Sequence, residues 1–293
     1  MTLLIVGATG LLGTELLRQT TAPDSPHTQG QPVAATFHTR PPTNTPDVHW
    51  TPLDLRSRDQ IHHLITTLRP HTVINAAYRQ HDWPTTAQGP THLAPPTWPH
   101  PPGPTHLALA TTRTRTRLIH VSSDAVFSGH APTYDETAHP DPTTPYGAAK
   151  AAAETTIAAL DPTAVIARTS LIIGNGHSTH EQRVRALATG ATTGALSTDD
   201  IRCPVHVQDL AAALLELTDP TYTGIHHLVG SDALSRHTLG TLIARQQGLD
   251  PNTLARARRA EVGPPSPLEL RLDAHRTQQR LTTRLRGAHE FLS

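Results

Sequence analysis

The 293-residue chain has one cysteine, no excess of either charge and no long apolar run. Each lack removes a class of protein. The single thiol, Cys203, excludes an intramolecular disulfide framework and fits a reducing compartment. Lys+Arg and Asp+Glu are equal at 24 each, and no basic stripe stands out, because the Arg113-Thr114-Arg115-Thr116-Arg117 run abuts an expected strand. Nucleic acid is therefore not an expected target. No stretch approaches the ~20 apolar residues that span a bilayer, so no membrane partner is expected. The N-terminal apolar run breaks at Gly7 and lacks a basic lead-in, unlike a signal peptide. A soluble cytoplasmic protein, monomer or homodimer, is the expectation.

Proline and histidine are plentiful, at 27 and 21 residues. The histidines show no repeated metal-ligand spacing. His62-His63 falls on an expected helix, His226-His227 inside the strand-like stretch 224–229, and His177 with His180-Glu181 lacks a third partner. No metal site is expected.

Along the first half, apolar strands alternate with helical patterns, the signature of a parallel sheet flanked by helices. Strands are expected at Thr2–Val6, Val33–Phe37, Val48–Leu53, Thr72–Asn75, Arg117–Val121 and Ala164–Arg168, with helices at Leu11–Gln19, Arg58–Leu68 and Tyr146–Leu160. Beyond Arg168 short segments mix with helices at Val207–Leu217, Ser235–Gln247 and Asp273–Leu292. Asp209 and Asp273 each stand in an expected first turn, where a carboxylate complements the helix dipole. The fold class is α/β: a Rossmann-type doubly wound parallel sheet over 1–170, and a smaller C-terminal substrate-binding lobe over 171–293, interleaved with the first domain.

One region breaks this pattern. Gly89-Pro90-Thr91-His92-Leu93-Ala94 recurs as Gly103-Pro104-Thr105-His106-Leu107-Ala108, with Pro95, Pro96, Pro99, Pro101 and Pro102 between the copies. Those prolines forbid a crossover helix there and compress it to about Thr105–Thr112. The stretch 89–104 reads as a Pro-rich insertion, a tandem duplication looped out at the surface in preference to a substrate gate.

Chemistry enters at a glycine-rich turn, Gly7-Ala8-Thr9-Gly10-Leu11-Leu12-Gly13, directly after the first strand. Gly7 permits the tight turn, Gly10 lets a pyrophosphate approach the backbone N–H groups, and Gly13 allows close helix–strand packing. The spacing is Gly-x-x-Gly-x-x-Gly. A carboxylate ending the second strand would hold the adenosine ribose and select NAD. The chain instead reads Phe37-His38-Thr39-Arg40, and Arg40 can take a 2′-phosphate through its planar fork, although a solvated arginine is the competing reading. NADPH is the expected cofactor, NADP being preferred over NAD. Asp54-Leu55 would flank the adenine, and Asn75-Ala76-Ala77 leaves room where the cofactor crosses the sheet edge.

Tyr146 and Lys150, four apart on an expected helix, share one face. A free tyrosine has a pKa near ~10, and a neighbouring ammonium lowers it toward use as an acid. Ser123, ending the strand before, supplies a donor to a substrate carbonyl.

With Gly7–Gly13, Val73-Ile74-Asn75-Ala76-Ala77, Asp82, Ser122-Ser123-Asp124-Ala125-Val126-Phe127, Glu136-Thr137, Tyr146–Lys150, Arg168-Thr169-Ser170, Asp209-Leu210 and Arg271-Leu272-Asp273 in place, the chain resembles the extended short-chain dehydrogenase/reductases, in their dTDP-4-dehydrorhamnose reductase branch. The resemblance covers most of the sequence. It implies NADPH-dependent reduction of a nucleotide-activated 4-keto-6-deoxysugar, with Tyr146 as the acid, Lys150 as its electrostatic partner, Ser123 in the place of a usual Thr, and Arg168-Thr169-Ser170 near the nicotinamide. Two departures bear on substrate or oligomer contacts: the duplicated Pro-rich segment, and Gly263-Pro264-Pro265-Ser266-Pro267 where the family has basic residues. Asp124-Ala125 lacks the second acid of the related dehydratases, which disfavours dehydration, and the missing acid after the second strand disfavours an NAD-retaining epimerase. A non-catalytic NADP-binding regulatory subunit is the alternative from another class.

Overall fold

A computed structural model describes residues 2–23, 25, 33–39, 42, 48–77, 102–263 and 266–293. They form two compact units. The first comprises 1–122, 144–167 and 217–224, and the second 123–143, 168–216 and 225–293. The chain crosses between Ser122 and Ser123, at the end of a strand.

A seven-stranded sheet is built from β1 (Leu3–Val6), β2 (Val33–Phe37), β3 (Val48–Pro52), β4 (Thr72–Asn75), β5 (Arg117–Ser123), β6 (Val165–Thr169) and the strand Gly224–Leu228. The order is (Gly224–Leu228)-β6-β5-β4-β1-β2-β3. The pairs β1–β2, β1–β4, β2–β3 and β4–β5 are parallel. β1 and β4 are buried along their whole length, which is why both read as continuous apolar runs rather than alternating ones. Helices α1 (Leu11–Thr20), α2 (Arg58–Leu68), α3 (Pro102–Thr114) and α4 (Pro145–Leu160) belong to this unit. Strand order reverses about β1 and β4, so the crevice beyond their carboxyl ends is the topological switch point of the sheet.

Helix α3 begins earlier than the prolines suggest. It starts at Pro102 rather than Thr105, so the second copy of the duplicated hexapeptide is helical and the Pro-rich insertion ends before residue 102 instead of at 104. Pro102 and Pro104 stand in the first turn, where backbone N–H groups have no intrahelical partner to lose. The first copy lies outside the described residues.

The second unit holds α5 (Thr179–Ala188), α6 (Val207–Glu216) and α7 (Arg236–Gln246), and α5 and α7 contribute to a core of Ile173, Val184, Leu196, Leu239, Ile243, Leu254 and Phe291. The helix expected over Asp273–Leu292 is instead two short helices, His275–Arg280 and Ala288–Phe291. Between them the Glu216 carboxylate accepts the N–H groups of Thr282 and Thr283 at 2.7 and 2.8 Å, a tertiary bond that replaces the helical ladder. Asp273 therefore precedes its helix, where its carboxylate accepts from His275 N, while Asp209 does stand in the first turn of α6. Among the described residues no helix is long and apolar enough to cross a membrane, and no three His, Cys, Asp or Glu side chains converge on a metal position.

Candidate active site

The glycine turn shows what each glycine is for. Gly7 has φ +81°, in the left-handed region, and a Cβ there would lie 2.6 Å from Ala77 Cα. A Cβ on Gly13 would lie 2.4 Å from Gly7 O and 2.5 Å from Ala8 Cα. Both are therefore required by the protein itself. Gly10 differs: its φ is −81°, and the nearest atom to an added Cβ is Gly7 O at 3.5 Å, so the surrounding protein does not demand a glycine there. The turn is fixed to β2 through Gly7 N–H to Thr36 Oγ1 at 3.2 Å and Ala8 N–H to Thr36 O at 3.0 Å.

Helix α1 follows Gly10 with no side-chain cap and no acid in its first turn. By contrast, α2, α4, α5 and α7 are capped by the hydroxyls of Ser57, Thr144, Ser178 and Ser235. Thr9 and Gly10 are exposed and Leu11 half-buried, while the Leu12 side chain enters the core. Uncapped N–H groups at the positive end of a helix dipole are matched to an anion. The donor set thus fits the pyrophosphate of a dinucleotide, with Gly10 open for its approach.

Beyond β4, Asn75 Oδ1 accepts from Ala77 N–H at 3.3 Å, which turns its amide nitrogen toward His120 Nδ1 at 3.0 Å. His120 Nδ1 is then the acceptor and Nε2 carries the proton. Burial, with the Lys150 charge second, holds this imidazole well below its ordinary pKa. The Asp54 carboxylate is gripped by the Arg56 guanidinium, with Nη2 at 2.7 Å and Nε at 3.0 Å, and by Arg56 N–H at 2.9 Å. Those bonds hold it below the usual carboxylate range. Leu55 is half-buried, and a Cβ on Gly103 at the start of α3 would lie 2.9 Å from Leu55 Cβ. Arg40 and Asp82 lie outside the described residues.

Helix α4 opens with Thr144 as cap and Pro145 in the first turn, a pairing that fixes its first residues. Tyr146 and Lys150 are both half-buried. Lys150 Nζ donates to Val121 O at 2.8 Å, and burial pushes its pKa down to about 8 against the opposing charge of Glu154. Glu154, one turn further on, is 3% exposed and accepts from Ser122 Oγ at 2.5 Å. The motifs do not point to Glu154, and they include Ser122 without assigning it a role. The signals for them are an acid four residues after Lys150, and the fact that Lys150 is the only lysine in the chain.

In the second unit, Ser123 Oγ donates to Asp124 Oδ1 and accepts from Ala125 N–H, both at 3.2 Å. Asp124 Oδ2 accepts from Ser170 Oγ at 2.6 Å and stands 3.7 Å from Arg202 Nε. Thr169 Oγ1 donates to Leu228 O at 2.8 Å. Arg168 is 1% exposed, with its guanidinium 4.9 Å from the Phe127 ring centroid and donating to Ala138 O at 3.3 Å, so its charge is engaged inside this unit.

The model of the RmlD substrate binding domain matches residues 1–287. The chain belongs to that family. A dTDP-4-dehydrorhamnose reductase of Mycobacterium tuberculosis is 34% identical over 176 residues, 56% of this chain and 57% of that protein, so the match spans little more than half of the relative. Methionine adenosyltransferase 2 subunit beta of Xenopus laevis is 27% identical over 286 residues, 94% of this chain and 81% of that one. Among solved structures, a Bacillus anthracis dTDP-4-dehydrorhamnose reductase in complex with NADP has a TM-score of 0.78 at 22% identity, covering 99% of this chain and 96% of that one. That likeness is one of fold, and it matches the doubly wound sheet described above. In this RmlD-family chain the start of α1, at the switch point of the sheet, has no side-chain cap, whereas α2, α4, α5 and α7 each carry one.

Proposed function

We propose that the protein is a reductase of a nucleotide-activated 4-keto-6-deoxysugar, using a nicotinamide cofactor with NADPH preferred over NADH. The observation that carries this reading is the placement of Lys150 one helical turn from Tyr146, its ammonium held on Val121 O by a 2.8 Å bond. Support comes from the family assignment and the name of the Mycobacterium tuberculosis relative.

In this reading the N–H groups at the start of α1 hold the cofactor pyrophosphate, and Gly10 lets it reach the backbone. Ala76 and Ala77 leave room at the switch point, and Arg40 takes the 2′-phosphate. When bound, the reduced nicotinamide supplies the hydride. Ser123 turns its hydroxyl from Asp124 to the substrate carbonyl and polarises it. Tyr146 gives its proton to the carbonyl oxygen as the carbon accepts the hydride, leaving an alcohol and an oxidised cofactor. The Lys150 ammonium stabilises the phenolate left on Tyr146, which brings a group with a free pKa near ~10 into working range.

The test is NADPH oxidation in the presence of a dTDP-4-keto-6-deoxyhexose. Tyr146→Phe is expected to lower turnover by at least about tenfold with NADPH affinity kept. Unchanged turnover in that variant removes Tyr146 from the chemistry. The long match to the methionine adenosyltransferase subunit favours a second reading, a cofactor-binding subunit without catalysis. Tight NADPH binding with no turnover on any keto sugar would select it.

A further inference from the structure

The Tyr146–Lys150 pair has a third member on the same face of α4. Tyr146, Lys150 and Glu154 are spaced by four and four, so one stripe of the helix carries an acid, a cation and an anion in succession. The strand beside it anchors two of them at consecutive residues: Val121 O receives Lys150 Nζ, and Ser122 Oγ donates to Glu154 Oε1. Glu154 is 3% exposed, far drier than a helical glutamate is ordinarily found. A buried carboxylate of this kind is kept in proteins only with partners that compensate its lost hydration.

We propose that Glu154, latched by Ser122, is a positioning residue that keeps Lys150 cationic and seated on Val121 O beneath Tyr146. This rests on the reductase reading for its catalytic consequence, though not for the charge pairing itself. Lys150 is pulled toward neutrality by burial alone, and the group opposing that pull is Glu154. Of the other titratable groups, His120 on β5 is held neutral by burial, and Tyr146 lies on α4 itself. Removing the Glu154 charge therefore leaves the desolvation of Lys150 unopposed, and its proton is lost at a lower pH.

Lys150 being the only lysine makes the test direct. Protein labelled with 13C at lysine Cε gives one lysine side-chain resonance, whose titration reports Lys150 without assignment or substrate. In the wild type its midpoint is expected near the value of about 8. In Glu154→Gln, which keeps the shape and a hydrogen-bonding partner for Ser122, the midpoint is expected to fall by about one pH unit. Ser122→Ala keeps the carboxylate and loses its latch, and is expected to move the midpoint by less in the same direction. It serves as the second variant should Glu154→Gln fail to fold.

The catalytic consequence is read separately. Turnover needs charged Lys150, so the alkaline limb of the pH–rate profile is expected to move to lower pH in Glu154→Gln, with an extra loss of about fivefold at pH 8. A purely structural role would lower activity evenly across pH without moving that limb. A folded Glu154→Gln whose lysine midpoint equals that of the wild type overturns the proposal, whatever the enzyme reduces. A shifted midpoint in a protein that turns over no keto sugar upholds the charge pairing and counts against the reductase reading instead.

Discussion

Helix α1 starts behind Gly10 with its first N–H groups uncapped by any side chain. Helix α5 starts behind a closed capping box. Ser178 Oγ accepts from Glu181 N–H at 3.1 Å, and Glu181 accepts from Ser178 N–H at 3.0 Å and from Gly174 and Gly176 N–H, each at 3.2 Å. The two helices are equally long, at 10 residues, and face the same problem of orphan backbone donors. In one case a buried glutamate solves it permanently. In the other no side chain supplies an acceptor, beside a glycine that the neighbouring atoms do not require. Under the proposed function, the pyrophosphate of the cofactor would supply at α1 what Glu181 supplies at α5.

Substitutions break this comparison in graded ways. The largest effect is expected for Gly13→Ala, whose Cβ would overlap backbone at 2.4 Å. Denaturant unfolding should show a loss of about 3 kcal/mol, with cofactor binding lost as well. Next comes acid pH in the second unit. His227 is buried with Nδ1 donating to Asp273 O at 2.9 Å, and burial pushes its pKa down to about 4. Because the folded pKa lies below the unfolded one, the unfolded chain takes the proton first as pH falls. Stability should therefore decline from about pH 6.5 and the decline from this group should level near pH 4, by about 3 kcal/mol in all. A His227→Gln variant should lose that part of the slope in melts across the same range, and an identical slope would remove the histidine as its source.

Glu181→Ala strips three backbone donors of their acceptor and should destabilise by about 2 kcal/mol without altering NADPH affinity. A matching fall in affinity would mean that the two helix starts are not functionally separate. The smallest expected effect on stability is that of Gly10→Ala, a few tenths of a kcal/mol at an uncapped N-cap position, set against a tenfold or greater loss of NADPH affinity, roughly.

Strands β1, β2, β4 and β6 are legible because they are buried along nearly their whole length and read as largely apolar runs, whereas β3, with no buried residue, is not of that kind. The bounds of β2 and β4 agree with the observed ones, and those of β1, β3 and β6 differ by a residue. The terminal stretch departs from the expected single helix because the pattern over 273–292 is helical locally, whereas its break is made by Glu216, more than sixty residues away in sequence. Nor does the sequence show that Asp54 already has a partner in Arg56, two residues on. Glycine spacing marked the turn but not the difference between Gly10 and its neighbours, which depends on atoms of Gly7, Ala8 and Ala77. The spacing of Tyr146 and Lys150 places both on one helix, as observed, while their proposed roles rest also on Ser123 and the glycine turn. Glu154 was not legible, since an acid at that spacing is ordinary on an exposed helix, and only its burial against Ser122 sets it apart.

The most direct measurement is a nicotinamide-fluorescence titration of the wild type and Gly10→Ala with NADPH and NADH. The account predicts saturable binding by the wild type, tighter for NADPH, and weakened by about tenfold or more in Gly10→Ala at an unchanged melting temperature. A folded wild type that binds neither dinucleotide, or a Gly10→Ala variant that binds NADPH as well as the wild type does, would contradict it.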